Sequence, residues 1–199
     1  MQQEKSVKGY VFIVLGVLLL GMIGWFMIGY NSLVTKEERT KTAWSQVESN
    51  LQRKVDLLPN LVKVVKRYAA HEKEVFERIA ALRAEAGKIL HEDQGEAAQI
   101  RKIAAVQGRL DAATARLFAV AENYPQLRSS EQFLQLQSQI EGAENRINIT
   151  RMQFNEAVGA YNACLRHMPA NIVASLVGFR PKAYFQADDR GHSRLKLEI

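Results

Sequence analysis

The stretch RKVDLLPNLVKVVKRYAAHE, residues 53–72, decides how this chain folds. Its apolar residues keep helical spacing on both sides of Pro59. A proline inside a helix removes a hydrogen bond and clashes with the preceding turn, which costs about 3 kcal/mol, whereas a proline in the first turn of a new helix costs little. The stretch is therefore either one kinked helix or a hairpin. We predict a hairpin corner formed by Asp56, Pro59 and Asn60, because both polar side chains can bond local backbone.

Four apolar stripes lie around this corner, and their residues recur at steps of three and four, as in helices. They run from Trp44 to Leu58, from Leu61 to Ala86, from Ile100 to Tyr124, and from Phe133 to Met168. Because each helix has only one apolar stripe, each must bury that stripe against another helix. We predict an all-α fold with an antiparallel up-and-down four-helix bundle over residues 31–168. Only RLKLEI, at the very end, has a strand-like alternation.

The segment YVFIVLGVLLLGMIGWFMIGY, residues 10–30, carries no charge. As a helix it is about 31 Å long, which matches the hydrocarbon layer of a bilayer. Large side chains and no A-x-A pattern close the segment, so we predict an uncleaved single-span anchor after a tail at 1–9. Both flanks carry lysines, and the positive-inside rule leaves the side of the bundle undetermined, with a slight lean toward an N-terminus inside.

An even number of antiparallel helices would return the chain to the bilayer after Met168. Residues 169–187 then form a short apolar helix and a basic, aromatic segment, followed by a polar tail at 188–199. This segment either contacts lipid or a neighbouring subunit, or covers the open end of its own bundle. The candidates for a membrane or oligomer interface are Ile172, Val173, Leu176, Val177, Phe179, Tyr184 and Phe185.

Basic residues cluster around the predicted corner, at the end of the bundle far from the membrane. They would meet acidic partners or an anionic surface, or would simply be solvated. The candidates for this basic tip are Arg53, Lys54, Lys63, Lys66 and Arg67.

The residues that carry chemistry in enzymes are scattered. Cys164 is the single cysteine, so an internal disulfide and a cysteine-based zinc site are excluded, and His71, His91, His167 and His192 form no ligand motif. The net charge of +6 is spread over all helices without a recognition motif for nucleic acid. We predict no catalytic, cofactor or metal site, no cofactor, and no nucleic acid partner. Asn155 and Asn162, seven residues apart, share a helix face and could satisfy polar groups.

Several motifs resemble the LemA family of bacterial membrane proteins. They are YNSLV, AWSQVESNLQRKVDLLPNLVKVVKRYAAHE, FNEAVGAYN, HMPANIVASLVGF and AYF, and together they cover about residues 29–186. The resemblance implies an N-terminal membrane helix with an up-and-down four-helix bundle. It also implies location in the bacterial cytoplasmic membrane, with the bundle described on the cytoplasmic side, opposite to the lean from the flanking charges.

The family includes a protein of magnetosome membranes, and some family genes neighbour membrane-protease genes. The resemblance therefore implies a non-enzymatic scaffold that self-assembles and organises or remodels the membrane. Its expected partners are membrane lipid, further copies of the chain, and other membrane proteins such as a protease. The alternative is a regulatory adaptor for a membrane protease or signalling complex, acting through the basic tip.

Overall fold

The computed structural model describes residues 2–91 and 96–186. Within these ranges the regular secondary structure is all helical, with no strand, as predicted. The elements are α1 Gln2–Lys66, α2 Lys73–His91, α3 Glu96–Glu122, α4 Pro125–Arg128, α5 Glu131–Cys164 and α6 Ala170–Val177. The strand-like RLKLEI segment and the tail at 188–199 lie outside the described residues, as do 92–95.

Helix α1 passes through Pro59 without interruption and ends at Lys66. The predicted hairpin corner at Asp56, Pro59 and Asn60 is therefore wrong. The four residues Val55, Leu58, Leu61 and Val65 are at most 2% exposed, at helical steps of three and four on both sides of the proline. Full burial of one such side chain contributes about 1.5–3 kcal/mol. Keeping four of them on one continuous buried face thus outweighs the loss of one hydrogen bond at Pro59.

The turn that the chain makes instead lies between α1 and α2, over residues 67–72. Ala69 is fully buried there, and its amide donates to the carbonyl of Val65 at 2.9 Å. The segment contains neither glycine nor proline, so the usual signals of a turn are missing. The interruption of the apolar stripe between Tyr68 and Val75 is the signal that marks it.

Between α3 and α5 the chain forms the short helix α4. Pro125 occupies its first turn and Leu127 is buried. The Ser129 hydroxyl donates to the carbonyl of Pro125 at 3.1 Å. Helix α5 then begins at Glu131.

The chain divides into two compact units. Unit 1 comprises residues 1–41 and 157–182, and unit 2 comprises residues 42–156 and 183–199. The core of unit 1 joins α1, the end of α5 and α6 through the buried residues Leu33, Tyr161, Cys164, Ala170, Val173 and Ala174. In unit 2, buried side chains of α1, α2, α3 and α5 follow the predicted stripes. Antiparallel packing of these four helices stays a prediction.

Among the described helices, α1 alone is long and apolar enough to cross a membrane. Its apolar part is almost entirely exposed: Phe12 is 75% and Leu20 is 69% accessible. An apolar helix in a protein core would be buried, so this exposure is typical of a segment that faces lipid.

Candidate membrane-proximal site

Helix α6 packs against the last turn of the apolar segment of α1, within unit 1. The contact is made at Gly29, where a Cβ atom would lie 3.0 Å from Cγ2 of Val173 and 3.3 Å from Cγ of Pro169. A side chain at position 29 would therefore push α6 away. Other glycines of the segment, such as Gly16 and Gly21, would meet nothing within 4 Å. The sequence pattern does not distinguish Gly29 from these other glycines. The difference is visible only in the packing.

The chain reverses direction directly after α6. Gly178 has a φ of 93°, in the left-handed region that glycine adopts without strain, and its amide donates to Ala174. This reversal brings the ring of Phe179 to 6.1 Å from the ring of Tyr30, edge to face. The C-terminal segment therefore contacts the end of the apolar segment of α1, as expected, and the turn after α1 lies at 67–72 in place of 56–60. That this end marks the bilayer surface stays a prediction.

The extended segment after Phe179 is held by polar side chains of α5. Asn162 donates from Nδ2 to the carbonyl of Lys182 at 3.0 Å, and its Oδ1 accepts from the Lys182 amide at 2.9 Å. The Tyr161 hydroxyl donates to the carbonyl of Arg180 at 3.1 Å. A segment outside any helix has unpaired backbone groups, and these side chains satisfy three of them. The polar role predicted for Asn162 thus takes a specific form.

Asn155, seven residues before Asn162 on α5, also holds the backbone of the C-terminal segment, within unit 2. Its amide donates to the carbonyl of Phe185 at 3.0 Å and accepts from the Phe185 amide at 2.8 Å. The Phe185 ring is buried beside Trp44, with centroids 6.1 Å apart, and Cζ of Arg151 lies 4.4 Å from its centroid. The guanidinium therefore makes a cation–π contact with an aromatic ring that the strap, residues 179–186, inserts.

The seven interface candidates separate into two groups. Val173 and Phe185 are buried and Phe179 is partly buried against the chain itself, which fits the interpretation of a cap. Ile172, Leu176, Val177 and Tyr184 are exposed, by 38%, 72%, 49% and 47%. Ile172 and Leu176, four residues apart, lie on one side of α6, and Met168, which is 70% exposed, lies in the turn just before the helix. This set of Met168, Ile172, Leu176 and Val177 is called the outer face below.

Lys54 was predicted to lie on a basic tip, and this prediction is wrong. Its side chain is fully buried in unit 2, where Nζ donates to Oδ1 of Asp111 and, at 2.7 Å, to Oε1 of Glu144. One ammonium thereby connects α1 to α3 and α5. A buried lysine is stable only when its charge is paired, and two carboxylates supply that pairing. In addition, Arg109 of α3 forms an ion pair with Glu85 of α2.

Three of the remaining basic candidates, Lys63, Lys66 and Arg67, are exposed where α1 ends. Arg53 is also exposed, but it precedes that end by about 20 Å of helix. The residues therefore do not form a single cluster of five. Of the predicted basic tip, only Lys63, Lys66 and Arg67 lie together. They are called the basic group at the end of α1.

Burial changes the acid–base behaviour of two groups in unit 2. It raises the pKa of the Glu48 carboxyl, and the nearby Trp44 indole opposes that rise. The indole Nε1 of Trp44 is buried and has no acceptor within hydrogen-bond geometry among the described residues. Glu48 accepts a hydrogen bond from Gln99 at 3.0 Å. Burial also lowers the pKa of Arg151, and the negative charge of Asp111 opposes that change.

The described residues contain no group of three His, Cys, Asp or Glu side chains placed to share a metal ion. His71, His91 and His167 lie in different parts of the chain, and all three are exposed. His192 lies outside the described residues.

Two features of unit 1 could not be predicted from the sequence patterns. One is the close approach at Gly29, because glycine is common in membrane helices and its spacing here forms no motif. The other is a groove beside that contact, lined by residues of α1, the end of α5 and the start of α6, because its walls are distant in sequence.

Known proteins resemble this chain over most of its length. It is 28% identical to magnetosome protein MamQ 2 of Paramagnetospirillum magneticum, over 92% of this chain and 74% of that protein. It is 25% identical to magnetosome protein MamQ of Magnetospirillum gryphiswaldense, over 92% and 75% respectively. It is 22% identical to protein LemA of Metamycoplasma hominis, over 92% and 81%.

The family model that matches describes the LemA family, over residues 43–198. The match includes the helices of unit 2, α6 and the strap, while the apolar part of α1 precedes it. The chain belongs to the LemA family.

Proposed function

We propose that this protein is a non-enzymatic, membrane-anchored scaffold that assembles with copies of itself and organises or remodels the bacterial cytoplasmic membrane. In this proposal α1 crosses the bilayer once, and α1, α2, α3 and α5 form an up-and-down antiparallel bundle outside it. The paired charges that connect α1 to α3 and α5, and α3 to α2, support such a bundle.

The observation that carries the proposal is the outer face of α6. The opposite side of α6 packs through Val173 on Gly29, near the end of the apolar segment of α1. In the proposal this puts the outer face at the depth of the bilayer interface. Apolar side chains at this depth insert between headgroups, while Arg180, exposed just beyond, can meet lipid phosphates. A helix that inserts into one leaflet displaces headgroups there. Repeated over many assembled copies, this displacement would bend or organise the membrane. The magnetosome proteins among the relatives agree with a role at a membrane.

The test uses full-length protein reconstituted into vesicles. We expect the wild type to form oligomers and to change vesicle shape in cryo-electron micrographs. The double variant Ile172→Glu, Leu176→Glu should remain inserted through α1 but leave the vesicles spherical, because two carboxylates oppose insertion of the outer face. The matched control is Leu134→Glu, Met152→Glu, two side chains of unit 2 that are 50% and 59% exposed.

The control should behave as the wild type. A wild-type protein that stays monomeric over a wide range of concentrations, and leaves vesicles unchanged, would overturn the proposal. If the outer-face variant loses oligomers but still reshapes vesicles, α6 contacts a neighbouring subunit rather than lipid.

A second candidate function is a regulatory adaptor for a membrane protease or signalling complex. It is supported by the exposed basic group at the end of α1, which an acidic surface of a partner would complement. Reversing Lys63, Lys66 and Arg67 to glutamate distinguishes the two functions. Loss of co-purifying membrane proteins, with assembly and vesicle shape intact, would favour the adaptor.

A further inference from the structure

A groove of about 420 Å³ opens in unit 1 beside the contact between α1 and α6. Its apolar wall comes from the end of the membrane segment and from the chain around α6, chiefly Ile28, Ala163, Met168 and Pro169. Lys36 and His167 supply its charged or polar rim. This volume is in the range of sites that hold small molecules or parts of lipids.

The groove is aligned with the depth of the bilayer. Ile28 belongs to the apolar segment, and Lys36 follows it by about 12 Å along the same helix. The apolar end therefore lies at the level of acyl chains, and the lysine at the level of headgroups. A ligand that fits both ends has an aliphatic chain joined to a polar group a little over one nanometre away.

The charge at the outer end indicates an anionic group. No described carboxylate lies within 4.0 Å of Lys36 Nζ, so the charge of this lysine is available to a ligand. Arg39, less than one turn further along α1, lines a neighbouring depression together with Lys36 and Thr35. Phosphate oxygens are the acceptors that such lysine and arginine side chains bind at membrane surfaces.

We infer that this groove binds one anionic phospholipid of the surrounding bilayer, with an acyl chain along Ile28 and Met168 and the phosphate at Lys36. We favour a lipid over a second copy of the chain for two reasons. The groove is continuous with the apolar segment of α1, and its rim carries a positive charge that a phosphate would neutralise. The inference rests on the membrane anchoring that the proposed function also requires. It adds a lipid preference to that function.

The experiment measures lipid retained by full-length protein in detergent, by native mass spectrometry, after incubation with phosphatidylglycerol or phosphatidylcholine. We expect the wild type to retain one phosphatidylglycerol in preference to phosphatidylcholine. Lys36→Gln should weaken phosphatidylglycerol binding about fivefold, because one interfacial lysine is lost. It should weaken phosphatidylcholine much less, because the choline ammonium of that lipid already offsets the charge of its phosphate. Ala163→Phe should weaken both lipids by filling the groove.

The matched control is Lys63→Gln, an exposed lysine of the same helix within unit 2, which should bind as the wild type. Equal binding of the two lipids, or equal losses in Lys36→Gln and Lys63→Gln, would overturn the inference. So would displacement of the lipid by millimolar inorganic phosphate, which would assign the rim to a free anion. An oligomer that dissociates in Ala163→Phe, with lipid binding intact, would show instead that the groove joins two copies.

Lys36→Gln also separates this inference from the proposed function. Its helix content by circular dichroism and its effect on vesicle shape should match the wild type while its lipid preference disappears. Failure of vesicle reshaping in wild type and variant alike, with the lipid preference retained, would remove the proposed function and leave the lipid site.

Discussion

Lys54 ends in the interior of unit 2, and its surroundings explain why a charged residue there is compatible with folding. Its side chain has no exposed surface, whereas those of its partners Asp111 and Glu144 are 43% and 36% exposed. The lysine has therefore lost its water completely, and the carboxylates have kept part of theirs. The buried ammonium of Lys54 is stabilised only by its two carboxylate partners, whereas the carboxylates are also stabilised by water. Loss of the carboxylates and loss of the lysine should therefore change stability by different amounts.

Removal of the two carboxylates should destabilise the protein more than removal of the lysine. We expect Asp111→Asn with Glu144→Gln to cost about 3–5 kcal/mol at neutral pH, because it leaves a buried, unpaired ammonium. Lys54→Met keeps the apolar stem and leaves two carboxylates that water can reach, so its cost should be below about 2 kcal/mol. Thermal unfolding of full-length protein in detergent, followed by circular dichroism, measures both. The reverse order would contradict the assignment of Lys54 as the buried member.

Glu48 gives a prediction about pH. Because burial raises the pKa of its carboxyl in the folded state, the unfolded chain loses this proton at a lower pH than the folded protein does. Glu48 therefore lowers stability progressively as the pH rises from the ordinary pKa to the raised one, and by its full amount above the raised one. Glu48→Gln should therefore raise the melting temperature at pH 7 and have little effect near pH 4, below the ordinary pKa of glutamate. The glutamine can keep a hydrogen bond with Gln99. Glu77→Gln, the same substitution at an exposed glutamate of α2 within unit 2, is a control in which no such pH-dependent gain is expected. A gain of equal size at both pH values would show that the carboxyl charge is not the cause.

At the scale of single elements, α1 shows how burial overrides a local signal. Pro59 resembles the start of a helix, with Asp56 and Asn60 as turn residues, yet the helix continues to Lys66. A corner at Pro59 would avoid a cost of about 3 kcal/mol for a proline inside a helix. The continuous helix gains the burial free energies of several apolar side chains, and their sum is larger. The turn at 67–72 occurs where that face is interrupted, so it is determined by the apolar pattern rather than by glycine or proline.

A substitution at Pro59 tests this conclusion directly. In a helix interior, Pro59→Ala restores a hydrogen bond and removes a clash worth about 3 kcal/mol. It also gives up about 0.4–1 kcal/mol, because alanine leaves the unfolded chain more flexible. The net gain of about 2 kcal/mol should raise the melting temperature by about 4–8 °C. At a hairpin corner the same change would lower it. Asn60→Ala, at the adjacent exposed position, should change stability by less than about 1 kcal/mol and serves as the control.

At the scale of the whole molecule, two segments far apart in sequence meet at the end of the apolar segment of α1. Gly29 and Tyr30 contact α6 and Phe179, which follow them by about 140 residues. The even number of long helices predicts this return. A corner placed at the wrong residue does not alter it, since moving a turn along the chain leaves the number of helices unchanged. What that number cannot predict is how closely α6 approaches α1, or that a groove forms beside the contact.

The amino-acid sequence by itself determined the helical class, the apolar segment at 10–30, the four stripes and the family. These features depend on local composition and on the period of apolar residues, which any window of the chain displays. Only the tertiary structure decided that α1 continues through Pro59, that Lys54 is an interior residue, and that none of the described residues covers the outer face of α6. Each of these depends on which surfaces of distant segments cover one another, because burial is a property of the packed arrangement and is not encoded at any single position.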